Sequence, residues 1–217
     1  MDINFLGFRG SLFKEFLEKL GHTVTLVDNH DNLAPCDVVL TSGYYQMIPS
    51  RVFTLPRKGF YLFHETDLPE GRGHAPLSWT LIYNRPELVV TMFSIAKAMD
   101  AGDVIGKERY SIKKYDTLLE LRERAVELCK LLMQKNLPAI EKGDHVLTPQ
   151  SGTPTYYRRR TPDDGQIDPS KSILEQWNLI RACHPDDYPA YFYIDEVRFF
   201  LRVEQDPEWN RDMKNKK

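Results

Sequence analysis

The feature that most restricts the fold lies at the amino-terminal end. Residues 3–7 form a short apolar run closed by a glycine, which predicts a buried strand. Leu12, Phe13, Phe16, Leu17 and Leu20 then recur at helical spacing, with Ser11 placed to cap the helix and Gly21 to stop it. Thr23 begins a second, alternating strand that runs to Val27 and breaks at Asp28-Asn29-His30-Asp31-Asn32. Strand, helix, strand in so short a stretch predicts a right-handed βαβ unit and therefore a parallel sheet covered by helices.

The alternation continues. Strands are predicted over residues 37–41 and 59–63, with a short helix over 49–53 between them. A helix over 75–83 and two strands over 88–95 and 104–112 follow. Thr117 caps a long amphipathic helix with Leu118, Leu121, Ala125, Leu128, Leu132 and Met133 on its inner face, and Pro138 is expected to end it. Residues 143–170, rich in Gly, Pro, Thr, Asp and Arg without apolar periodicity, predict a linker or crossing segment. A small carboxy-terminal subdomain, 171–217, is expected to hold a helix over 172–182 and paired strands over 191–194 and 197–203, turning at Asp195-Glu196, with 204–217 fraying. The expected fold class is thus α/β, a Rossmann-like, mostly parallel sheet flanked by helices with a small α+β appendage. Its main domain spans residues 1–142.

Charge and cysteine content narrow the functions. With 29 Lys plus Arg against 31 Asp plus Glu, the net charge of −2 lacks the whole-domain footprint of a nucleic-acid binder. The three cysteines are too widely spaced for a disulfide framework or a zinc site, which predicts a reducing cytoplasm and no metal. The amino terminus carries an acid and no long apolar stretch, so no signal peptide is expected. No apolar run approaches the ~20 residues of a membrane span.

Two constellations carry candidate chemistry. The run His64-Glu65-Thr66-Asp67-Leu68-Pro69-Glu70-Gly71-Arg72-Gly73-His74 follows the carboxyl end of an apolar strand, where open α/β sheets place ligands. A histidine there can serve as base, acid or hydrogen-bond donor. The second is Asp100-Ala101-Gly102-Asp103, a tight loop between two strands, whose carboxylates can orient an imidazole. Gly7-Phe8-Arg9-Gly10 lacks the dinucleotide-binding spacing, although its amides can meet an anion at a helix start.

Together these residues resemble the folate-dependent formyltransferase family. The resemblance rests on His64 followed by Leu68-Pro69, on Gly71-Arg72-Gly73 before Pro76, and on Val90-Thr91 before the Asp100 loop. It extends to Ser42-Gly43-Tyr44-Tyr45-Gln46-Met47-Ile48-Pro49, similar to the family's pterin-binding loop. Arg158-Arg159-Arg160-Thr161-Pro162, Ile180-Arg181-Ala182 and Tyr188-Pro189-Ala190 are similar to elements of nucleotide-linked amino-sugar N-formyltransferases. The resemblance implies N10-formyltetrahydrofolate as co-substrate, a nucleotide-linked amino sugar as acceptor and a homodimer. It implies His64 and Asp100 as catalytic residues, and Tyr44, Gln46, Met47, Ile48, Ala98 and Asp103 as folate contacts. Arg9, Arg72, Gly73, Arg159 and Arg181 would meet the acceptor. One position departs: the family's Asn falls at Leu62, which offers no donor, leaving Asn84 or Thr66 as substitutes. A non-catalytic binding protein of the same fold, or a formyltransferase for another small amine such as glycinamide ribonucleotide, remain alternatives.

Overall fold

The computed structural model describes residues 1–206. Six long strands, β1 (Asp2–Leu6), β2 (Thr23–Val27), β3 (Val38–Ser42), β4 (Phe60–His64), β6 (Glu87–Ser94) and β7 (Val104–Ser111), make one sheet in the order β2-β1-β3-β4-β6-β7, and β5 (Arg72–Gly73) lies outside it. β1 to β4 run parallel, and β6 alone runs against its neighbours. The sheet is therefore mostly parallel, as the alternating pattern predicts. The strand order reverses direction between β1 and β3, so a crevice opens beyond their carboxyl ends.

Alternation along the strands sorts side chains onto two unlike faces. Ile3, Phe5, Val38, Leu40, Tyr61 and Phe63 join a core with the inner faces of α1 (Ser11–Lys19), α2 (Pro76–Ile82) and α3 (Leu118–Lys142). Leu6, Val39 and Phe60 form a second core with Leu62 and Ile95 against it, covered by 3₁₀ turns and loops instead of long helices. Phe60, Leu62 and His64 share this loop-covered face of β4.

Three predicted elements differ. Ser11 is the first residue of α1 and makes no capping hydrogen bond, because a 3₁₀ turn over Phe8–Gly10 already feeds the helix. α3 continues through Pro138 to Lys142 and stops at Gly143, in the left-handed conformation. Pro138 is exposed on the helix's outer side, while Leu137 and Ile140 are buried and hold the last turn. Thr117 does cap α3, through a capping box with Glu120. The helix expected over 172–182 is only α4 (Trp177–Arg181). The Gln176 side chain turns back to Asp168, accepting from its amide at 2.6 Å and donating to its carbonyl at 2.9 Å, which holds the preceding residues in turns.

Residues 143–170 cross the molecule as an extended strip. Their short strand β8 (Tyr156–Tyr157) pairs parallel with β5, tying the strip to the loop after β4. β9 (Ala190–Ile194) and β10 (Val197–Leu201) form the expected hairpin. The expected fraying falls largely on 207–217, outside the described residues. Among the described residues no helix is long and apolar enough to cross a membrane.

Candidate active site

His64 is the last residue of β4, and its ring is buried. Its Nε2 lies 2.8 Å from the Gly71 carbonyl oxygen. A carbonyl can only accept, so this nitrogen carries a proton. Nδ1 faces the Asp100 carboxylate at 3.8 Å, an ion-pair distance that leaves room for a third polar atom beside both. Asp100 has a left-handed backbone, φ 50°, which a short polar side chain tolerates better than most.

The main chain fixes Asp100 in place. Its Oδ2 accepts from the Gly73 amide at 2.8 Å. The Gln150 side-chain amide, on the crossing strip, donates to the carbonyls of Asp100 and Gly102, both at 2.8 Å. Arg72 in turn donates to Gln150 Oε1 at 2.6 Å. This explains both loop glycines: a Cβ at Gly73 would stand 2.4 Å from the Tyr157 carbonyl, and one at Gly102 1.7 Å from that of Ser94. Gln150 carries no sequence signal, because nothing in a polar, aperiodic segment marks which amide folds back.

A cavity of about 340 Å³ opens beside the pair. Leu62, Phe93 and Ile95 give it an apolar floor, and its two sides are the loops that hold Tyr44, Gln46, Met47 and Ile48 on one and Ala98 on the other. The main-chain groups of residues 45–48 and 96–99 make no hydrogen bond among the described residues. A partly apolar cavity edged by free amides and carbonyls suits a heteroaromatic ring with donors and acceptors on its rim. Asp103 is not on this wall. It immediately precedes β7, its carbonyl accepting from the Ser94 amide at 2.8 Å and its own amide donating to Ser94 Oγ at 3.1 Å.

A second cavity, of about 530 Å³, adjoins the first across Gly43, Tyr45, Glu65, His74, Ala75 and Pro76. Arg9, Arg122, Arg159 and Arg160 border it, together with His184. Arg9 pairs with Glu65, and this carboxylate raises the pKa of its guanidinium. Arg160 is spent on the carbonyls of Ala182 and Asp164, each at 2.9 Å. The side chains of Arg122 and Arg159 have no hydrogen-bond or ion-pair partner among the described residues. Arg122 was missed in the sequence because, in the run Glu120-Leu121-Arg122-Glu123-Arg124, it reads as one more solvated charge.

Two expected arginines lie elsewhere. Arg72 is buried against Gln150 and the Tyr156 hydroxyl. Arg181 is buried behind the site and donates to the carbonyls of Lys113, Lys114 and Asp116 at 3.0 to 3.3 Å. Each guanidinium is held by contacts within the fold, although the buried Nε of Arg72 has no hydrogen-bond partner among the described residues. Neither candidate substitute for an amide at position 62 borders the cavity: Asn84 accepts from Arg181 at 3.4 Å, and the Thr66 hydroxyl donates at 3.4 Å to the Gly71 carbonyl that also bonds His64.

Residues 13–137 match the family model described as formyl transferase. Among solved structures, the methionyl-tRNA formyltransferase from Clostridium thermocellum is 20% identical with a TM-score of 0.74, over 91% of this chain and 90% of that one. HypX from Aquifex aeolicus in complex with tetrahydrofolic acid is 19% identical with a TM-score of 0.77, over 92% of this chain but 37% of HypX. The formyltransferase PseJ from Anoxybacillus kamchatkensis, in complex with UDP-4,6-dideoxy-4-formamido-L-AltNAc and tetrahydrofolate, is 24% identical with a TM-score of 0.64, over 73% of this chain and 86% of that one. At these identities the likeness is one of fold.

Proposed function

The chain belongs to the formyl transferase family, and on that premise we propose that it moves a formyl group from N10-formyltetrahydrofolate to the primary amine of a nucleotide-linked amino sugar. The observation that carries the reading is the His64–Asp100 pair, 3.8 Å apart, where an apolar slot meets an arginine-bordered cavity. The slot would take the folate ring against the free main-chain groups of its two loops. The arginine cavity would take the acceptor, with the unpartnered guanidiniums of Arg122 and Arg159 meeting its phosphates.

In this reading the amine nitrogen bonds to the formyl carbon, and the carbonyl electron pair moves onto oxygen. A proton on His64 Nδ1 would stabilise that oxygen, since Nε2 is already committed to Gly71. Asp100 would accept the proton the amine loses. As the bond from carbon to N10 breaks, N10 takes up a proton, leaving tetrahydrofolate and the formamide. PseJ, crystallised with a UDP-linked formamido sugar, supports a sugar amine as acceptor. A net charge of −2 argues for a small anion over a tRNA. Two copies would associate as a homodimer in the reducing cytoplasm that the free cysteines suit.

The test is incubation with N10-formyltetrahydrofolate and a panel of nucleotide-linked 3-amino and 4-amino sugars, followed by mass spectrometry. One member should gain a single CO unit. A panel left unformylated at high enzyme concentration defeats the reading. That result would favour a binding protein without turnover, for which Leu62 on the cavity floor is the motivating observation.

A further inference from the structure

We propose that Glu65 is the residue that recognises the acceptor's amine, receiving it as an ammonium ion while Arg122 and Arg159 hold the acceptor's anionic part. The inference rests on the transfer reading above and adds a requirement to it: the acceptor is a zwitterion, with its positive end at the wall between the two cavities.

Three observations support this. Glu65 stands on the shared wall, adjacent in sequence to His64, and its side chain is only 9% exposed. It is the only carboxylate among the described residues that border the second cavity, where every arginine brings positive charge. Its charge offsets that of Arg9, with which it pairs, and it repels the anion that Arg122 and Arg159 attract, so this wall favours a ligand that brings a cation to that point. Finally, Glu65 is half used. Oε1 pairs with Arg9 Nη1, whereas Oε2 accepts no hydrogen bond from any described residue. A buried carboxylate has several acceptor sites, and one arginine contact leaves capacity for an ammonium.

The contact is noncovalent: before attack the ammonium releases one proton to solvent, which frees the nitrogen lone pair, and the neutral amine then loses its second proton to Asp100, so bond making stays with His64 and Asp100. Its effect is orientation and selection. An amino sugar would be drawn in amine first, whereas its hydroxyl counterpart would leave the carboxylate facing a neutral group and the phosphates alone to bind.

The experiment uses matched probes in the presence of tetrahydrofolate. Calorimetry compares a UDP-linked 4-amino-4,6-dideoxy sugar with its 4-hydroxy counterpart, and glucosamine 6-phosphate with glucose 6-phosphate. The wild type should prefer the amino member of at least one pair by roughly tenfold, the scale of one desolvated charge pair. Glu65→Gln should abolish that preference and leave tetrahydrofolate affinity unchanged. If Glu65→Gln fails to bind tetrahydrofolate, Arg9→Met carries the test, because removing the competing cation should widen the amino preference. The proposal is overturned if the wild type shows no preference in either pair. It is equally overturned by an undiminished preference in Glu65→Gln that binds tetrahydrofolate, or by no widening in Arg9→Met. An undiminished preference alongside a formylated product would leave the transfer reading standing; a lost preference with no product anywhere would do the reverse.

Discussion

At the scale of single residues, the chemistry rests on few atoms. His64→Asn removes the ring whose Nδ1 faces the cavity, and should lower kcat by ~10² or more with tetrahydrofolate affinity nearly unchanged. Asp100→Asn keeps the shape but loses the proton acceptor, and should cost a comparable factor in kcat. A variant of either kind that keeps more than half the wild-type kcat in steady-state assays removes that residue from the mechanism. Leu62→Asn should bring an amide onto the same face of β4 as His64 and raise kcat, at a stability cost of about 1–3 kcal/mol read by urea denaturation. A slower enzyme would mean that the apolar floor itself serves catalysis. His64 stood out in the sequence as part of a dense polar loop after a buried strand, whereas Asp100 was singled out by the family resemblance, since its loop alone reads equally as a hairpin turn; the structure places the two 3.8 Å apart. Arg72, Arg181 and Asp103 were not assignable in the same way. Spacing identifies a charged residue but not where its side chain goes: Gln150 and three carbonyls take up the guanidiniums of Arg72 and Arg181, and main-chain bonds to Ser94 set Asp103 off the cavity wall.

At the scale of elements, strand and helix order was readable from apolar periodicity, while two helix ends were not. Pro138 argued for a stop, yet two buried side chains in the last turn outweigh one missing hydrogen bond on the exposed side. The penalty should still be present. Pro138→Ala is expected to raise unfolding free energy by about 1–3 kcal/mol, measured by urea denaturation, and a loss of stability would refute that account. The 3₁₀ turn over Pro162–Gly165 gives a second case. Asp164 caps it and pairs with Arg158, whose hydrogen bonds hold the carboxyl well below the usual carboxylate range. A depressed folded-state pKa stabilises above the unfolded value, near 3.8, and that contribution fades as pH falls below it. Thermal unfolding from pH 6 to pH 2.5 should therefore show a shallower acid loss in Asp164→Asn than in the wild type. Parallel curves would assign the acid sensitivity to other groups.

At the scale of the whole molecule, the carboxy-terminal hairpin is unusually apolar on the outside. Phe199 is 44% and Phe200 53% exposed on opposite sides of β10, with Ile194 and Val197 exposed at the turn. A two-stranded hairpin is marginal alone, and this one leaves aromatic surface in water. Light scattering coupled to size exclusion should give roughly twice the 25.3 kDa chain mass, and Phe199→Ser with Phe200→Ser should return it to one chain. A wild-type monomer at micromolar concentration would count against association. The crossing strip shows why long-range organisation was the least legible level. Its composition reads as a linker, yet main-chain pairing to β5 and one glutamine make it part of the wall behind Asp100.

In the transfer proposed above, the wall shared by the two cavities would set the order of events. If the amine attacks the formyl carbon directly, as proposed, nothing is parked on the protein while one partner leaves and another arrives. Both ligands must be resident together, and each completes a boundary of the other's chamber. An empty second cavity would instead leave water a way to the same carbon. Occupancy by the amine is then what separates productive transfer from wasteful hydrolysis.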